Sequence, residues 1–201
     1  MTQSHDVDTL GVMALLRDAL ATSGMSQAAF ARALGTSAPR FSTYLAGATQ
    51  PSGRFCMRAQ RLANSLSAAA ALGLMSAPVT AAALREQLRV DDHEWTWRML
   101  LQGRDHLRLM LEKQNAELIG SWEAAPGPSG ATEFDALLAA LTQHEFETAG
   151  RAAPAWAQIA PLPEPWAPAH PFLSHKRVMA KTPQWLRELN IYIPERDLVT
   201  A

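Results

Sequence analysis

Residues 26–47 read SQAAFARALGTSAPRFSTYLAG, and the rest of the chain is organised around them. Ser26 can cap a helix in which Phe30, Ala31 and Leu34 share one face. Gly35 ends that helix, because glycine enters the left-handed region without the steric cost of a Cβ. Ser37 can then cap a second helix with Pro39 in its first turn, where a missing N–H costs nothing. That helix runs to about Gly47, with Phe41 and Tyr44 facing inward. Helix, glycine turn and capped helix suit the geometry that lays a recognition helix in the major groove. They also suit an ordinary helical hairpin in which Gly35 is only a cap.

Gln27 and Ala28 near the start of the first helix, Gly35 in the turn, Ser37 at the cap and Gly47 after the second helix occur in one order and spacing. In this the stretch resembles the five-helix, lambda-repressor-like DNA-binding domain of the Xre family of regulators, over roughly residues 8–73. The resemblance implies major-groove contacts from Ala38, Pro39, Arg40 and Thr43, beside the Ser37 cap and with an amide contact from Gln27. It further implies a phosphate contact from Arg17 on the first helix, and backbone contacts from Thr49, Gln50, Ser52 and Arg54 in the loop after Gly47. Ala38 and Pro39 can touch only thymine methyls or sugar, so hydrogen-bonded readout would depend on Arg40 and Thr43. The family often carries an acidic residue two before the closing glycine, where this chain has Leu45. A homodimer on an inverted-repeat operator in double-stranded DNA is the expected complex.

Charge is unevenly distributed. Up to Met75 there are six Lys/Arg against three Asp/Glu, and from Ser76 onward twelve against sixteen. A mildly basic first part suits phosphates, which would repel the acidic remainder. The 48% apolar content is that of a globular chain. No apolar run approaches membrane-spanning length, so a cytoplasmic protein without membrane partners is expected. Cys56 is the sole cysteine, which excludes an internal disulfide and a cysteine-based zinc site. It is expected to be a small buried apolar residue.

The expected organisation is mostly α: a helix-turn-helix domain at 1–75, a long helical dimerisation segment at 76–123, a linker at 124–131 and a partner-binding or dimerisation region at 132–201. The first helix presents Leu10, Met13, Leu16 and Leu20 inward, and a later helix capped by Ser52 presents Met57 and Leu62. The small-residue run Ser65–Leu72 reads as a packing surface against the first helix or a second protomer. A helix ends at Val90, and the longest helical segment runs from Asp91 to Trp122 with Trp95, Met99, His106, Leu109, Met110 and Leu118 at helical spacing. Gly103 is its one weak point, where it either bends or folds back. AAPGPSGA at 124–131 is the linker. Thr132 with Asp135 suggests a capping box for the helix that follows. Residues 154–172 hold six prolines and two tryptophans and cannot be regular helix or central strand. This irregular segment should drape over an apolar groove of its own fold or of a partner. A short helix at 182–189 and a strand or extended arm at Ile191–Ile193 close the chain. Trp156, Trp166, Phe172, Trp185 and Tyr192 are the candidate partner-binding residues.

Catalytic patterns fail on spacing. His93-Glu94 and His144-Glu145 lack the second histidine of a zincin motif, and no nucleophile elbow, phosphate loop or dinucleotide fingerprint occurs. No enzyme activity, cofactor or metal is expected. Chains that join an Xre-like domain to a long extension resemble antitoxins that repress their own operons, which implies a cognate toxin as a second partner. A free-standing repressor whose C-terminal region senses a small molecule, or serves only for dimerisation, is the alternative.

Overall fold

The computed structural model describes residues 6–168 and 172–199; the polar residues 1–5, and residues 169–171 of the Pro/Trp-rich segment, lie outside it. Among the described residues the regular structure is mostly α. None of these helices is long and apolar enough to cross a membrane. The chain divides into two compact units. One holds the residues up to Val79 together with Lys113–Gly127, the other Thr80–Glu112 together with the residues from Pro128 onward.

The first unit begins with α1, Val7–Ser23, whose N–H groups are capped by the Asp6 carboxylate through Thr9. That hydrogen bond from the Thr9 N–H holds the Asp6 carboxyl below its usual range. The buried face of α1 is Thr9, Met13, Leu16 and Ala19, and Leu10 is half exposed rather than inward. Thr9 is drawn in because its hydroxyl donates to Asp6 and accepts from Gln50. Next come α2, Gln27–Ala33, and α3, Ala38–Leu45, capped by Ser26 and Ser37. Gly35 between them has φ +66°, and the Arg58 guanidinium donates to the Leu34 carbonyl that α2 leaves unpaired.

Along α4, Gly53–Ala71, the inward residues are Cys56, Ala59, Leu62, Ala63, Leu66 and Ala69, whereas Met57 faces solvent. Phe30 meets Phe41 edge-on at 5.8 Å, and Tyr44 meets Phe55 at 5.3 Å. Helix α4 packs against α1 and against a segment that sequence order places far away: α7, Ala116–Ile119, and the 3-10 turn Gly120–Trp122. A Cβ on Gly120 would stand 2.5 Å from Ser65 Oγ, so only glycine admits this approach. Trp122 is fully buried and donates from Nε1 to the Met75 carbonyl.

The boundary between the units falls within α5, Ala77–Arg89. The expected long helix is therefore not one element. Asp91, at φ +56°, separates α5 from α6, His93–Glu112, with Asp92 capping α6. Instead of bending or folding back at Gly103, α6 runs through it and stops at Glu112, and Gln114 at φ +51° precedes α7. Its buried face is Thr96, Leu100, Leu101, Gly103, Arg104, Leu107, Met110 and Leu111, so Trp95 and Leu109 lie on the exposed side. Nor is 124–131 a free linker: Ala124 and Ser129 are buried, and residues 113–127 belong with the first unit.

In the second unit α6 packs on α8, Thr132–Thr148. Asp135 does not form the expected capping box with Thr132; its carboxylate accepts the Ser129 N–H at 2.7 Å. Glu145 is buried and takes a bidentate hydrogen bond from Arg108 at 3.0 and 2.6 Å. The described part of the Pro-rich segment lies on its own unit. Trp166 N–H donates to the Asn190 carbonyl and Tyr192 N–H to the Trp166 carbonyl, both at 2.8 Å, forming an isolated parallel bridge rather than a terminal strand. Two short helices, α9, His175–Lys181, and α10, Gln184–Arg187, precede it, and a 3-10 turn, Glu195–Leu198, follows. The turn is tied to α6 by Trp97 Nε1 on the Asp197 carbonyl at 3.2 Å and by Arg104 on the Leu198 carbonyl.

Candidate nucleic-acid interface

On α3, burying Phe41 and Tyr44 turns Pro39, Arg40, Ser42 and Thr43 to the surface. The two anchors occupy one face at a spacing of three, and the helix has no other large apolar residue except the half-buried Leu45. Ser37 Oγ accepts the Arg40 N–H, so its first role is the cap. Thr43 Oγ1 donates to the Arg40 carbonyl at 2.8 Å, which uses its donor within the helix. Arg40 Nε donates to the Tyr44 hydroxyl at 2.7 Å, with the guanidinium 5.9 Å from the ring centre.

The remaining expected contact residues divide into two groups. Arg17 donates from Nη2 to the Leu45 carbonyl at 2.8 Å, satisfying the C-terminal end of α3. Gln50 donates its amide to Thr9 and ties the loop to α1, and Ser52 caps α4 through the Phe55 N–H. Ala38 and Gln27 are half-buried, while Thr49 and Arg54 are exposed on the loop and the start of α4. Arg32 and Arg61 add two exposed cations outside the expected set. Sequence reasoning missed the Tyr44 hydroxyl, although its i, i+4 spacing from Arg40 is a readable signal.

No family model, characterised protein or solved structure matches this chain. Arg40, Arg54, Gln27 and Thr49 supply a forked cation, a second cation, an amide and a hydroxyl in the one unit whose charge is net positive. Such a donor set suits phosphates and base edges.

The second unit holds a separate cavity of about 1440 Å³. Its walls include Trp95 and Trp97 from the first half of α6, and Trp166, Phe172 and Tyr192 from the irregular segments. Three of the five candidate partner-binding aromatics thus converge there. The other two do not line it: Trp156 is half-buried within the 3-10 turn Ala155–Ala157, and Trp185 stacks on His144 at 4.1 Å. Charged groups on the walls sit in ion pairs, Arg98 with Glu94 at 2.5 Å and Arg196 with Asp197 at 3.4 Å. The walls are accordingly aromatic with little uncompensated charge.

Proposed function

We propose that the first unit is a helix-turn-helix module that binds double-stranded DNA with α3 as the recognition helix, and that the protein is a homodimeric transcriptional repressor of its own operon. The observation that carries this reading is the exposed Arg40 on a helix that Phe41 and Tyr44 anchor in the core, directly after a capped turn at Gly35. Arg40 reads bases; Arg54, Thr49 and Gln27 set the register on the backbone. Two such modules on one duplex predict an inverted repeat with half-sites about one helical turn apart.

The aromatic cavity supports a second partner for the C-terminal region. The reading that follows is an antitoxin whose second unit holds a toxin. Selection from a random-sequence duplex library tests the first part: enrichment of an inverted repeat supports it, and no enrichment at low salt overturns it. Arg40→Ala should cost about 1–3 kcal/mol at one base pair, whereas Gln27→Ala should weaken all sequences together. Light scattering on the protein purified with and without its operon neighbour tests the second part. A homodimer indifferent to that neighbour would leave a free-standing repressor.

A further inference from the structure

We infer that Tyr44 is a positioning residue that holds Arg40 by its Nε and thereby commits the Nη1/Nη2 edge of the guanidinium to one guanine of the operator. The inference rests on the DNA-binding reading above. Tyr44 is buried, 6% exposed, and its ring is wedged against Phe55 at 5.3 Å and 62°. Its hydroxyl is therefore a fixed point on the core side of α3. Arginine has a long flexible stem whose ordering opposes any contact it makes. Here Nε is already anchored at 2.7 Å. The backbone of Arg40 is held as well, its N–H by Ser37 Oγ and its carbonyl by Thr43 Oγ1.

An arginine can grip two acceptors through Nη1 and Nη2 or through Nε and Nη2. The Tyr44 hydroxyl occupies Nε, which leaves the first option. Two parallel donors match the adjacent O6 and N7 acceptors that guanine alone shows in the major groove, while adenine replaces one of them with a donor. The pair also explains why a polar hydroxyl sits at the edge of an aromatic core: Phe30 and Phe41 lack one, and the tyrosine is the residue four positions from the arginine.

The test uses the full-length protein, a duplex enriched from a random-sequence library, and that duplex with each base pair replaced in turn. Wild type should show one guanine whose replacement weakens binding about 5- to 150-fold. Tyr44→Phe keeps the ring and should reduce that discrimination at least threefold, while the dependence of binding on salt stays unchanged. In an Arg40→Ala background, Tyr44→Phe should add nothing. Arg40→Lys keeps the charge but has no Nε for Tyr44 to hold, so it should lower the guanine preference to the level of Tyr44→Phe and keep the salt dependence; a wild-type preference in Arg40→Lys would overturn the positioning role. If Arg40→Ala erases the guanine preference but Tyr44→Phe leaves it at the wild-type level, the positioning role is overturned and the DNA-binding reading stands. If no duplex is enriched, the DNA-binding reading itself falls and this inference falls with it.

Discussion

Gly103 of α6 lies so close to Thr80 of α5 that a Cβ built on it would stand 2.5 Å from Thr80 Oγ1 and 2.6 Å from Cγ2. Gly103 is therefore a contact residue and not a hinge: the missing side chain is what lets the two helices approach. Gly103→Ala must push the buried Thr80 aside, and overpacking of this kind costs about 1–3 kcal/mol. Urea denaturation should show that loss, and Thr80→Ser in the Gly103→Ala background should recover part of it by removing Cγ2. An unchanged midpoint for Gly103→Ala would mean the helices have room to separate.

Glu145 is buried and grips Arg108, with Arg104 Nε at 3.9 Å. Glu145→Ala should cost roughly 3 kcal/mol, the low edge for breaking a buried pair, because half-exposed Arg108 can turn to water. Arg108→Ala should cost more than that, since it leaves the buried carboxylate with only Arg104 Nε, 3.9 Å away, beside it. Equal losses in equilibrium unfolding would show that the pair, not the buried carboxylate, sets the cost.

Burial pushes the His106 imidazole below its ordinary value, against the opposing pull of the Asp105 carboxylate. The folded state thus holds this histidine neutral where the unfolded chain takes up a proton, near pH ~6.5. Its contribution to stability is present above that pH and is lost as the pH falls through the lower folded value. His106→Gln should flatten the decline in unfolding midpoint between pH ~7 and ~5 relative to wild type, and parallel curves would remove His106 from that role.

Cys56 is buried on α4, and desolvation pushes its thiol up. The thiolate is the reactive form, so an aromatic disulfide reagent should label native protein slowly and urea-unfolded protein at once. Rapid native labelling would place α4 in frequent local opening.

The helices around Gly35 were legible in the sequence because each signal is local: a serine cap, a glycine at φ +66°, and Phe41 and Tyr44 at a spacing of three on one face. Cys56 was legible for the same kind of reason, as a small residue on the inward stripe of a helix. Met57 and Leu10 were not, since adjacent apolar residues leave the phase of a helix open by about 100° per residue and only the neighbouring helix decides it. The inward phase of α6 was hidden likewise, because Gly103 and Arg104 on its buried face look polar or weak until Thr80, Glu145 and Leu198 are brought to them.

The candidate interface divides along the same line. Local order placed Arg40 and Thr43 on one helix behind the Ser37 cap, but which donors of Arg40, Arg17 and Gln50 stay available depended on their partners Tyr44, Leu45 and Thr9. The convergence of Trp95, Trp97, Trp166 and Tyr192 on one cavity joins positions far apart in the chain. By itself the sequence determined a mostly helical protein with two short capped helices joined at Gly35 near its start, because caps, glycines and prolines act within a few residues. Only the tertiary structure decided that residues 113–127 complete the first unit and that the Pro/Trp segment pairs with Asn190 and Tyr192. Those outcomes turn on close approaches such as Gly120 to Ser65, set by long-range packing that no local pattern records.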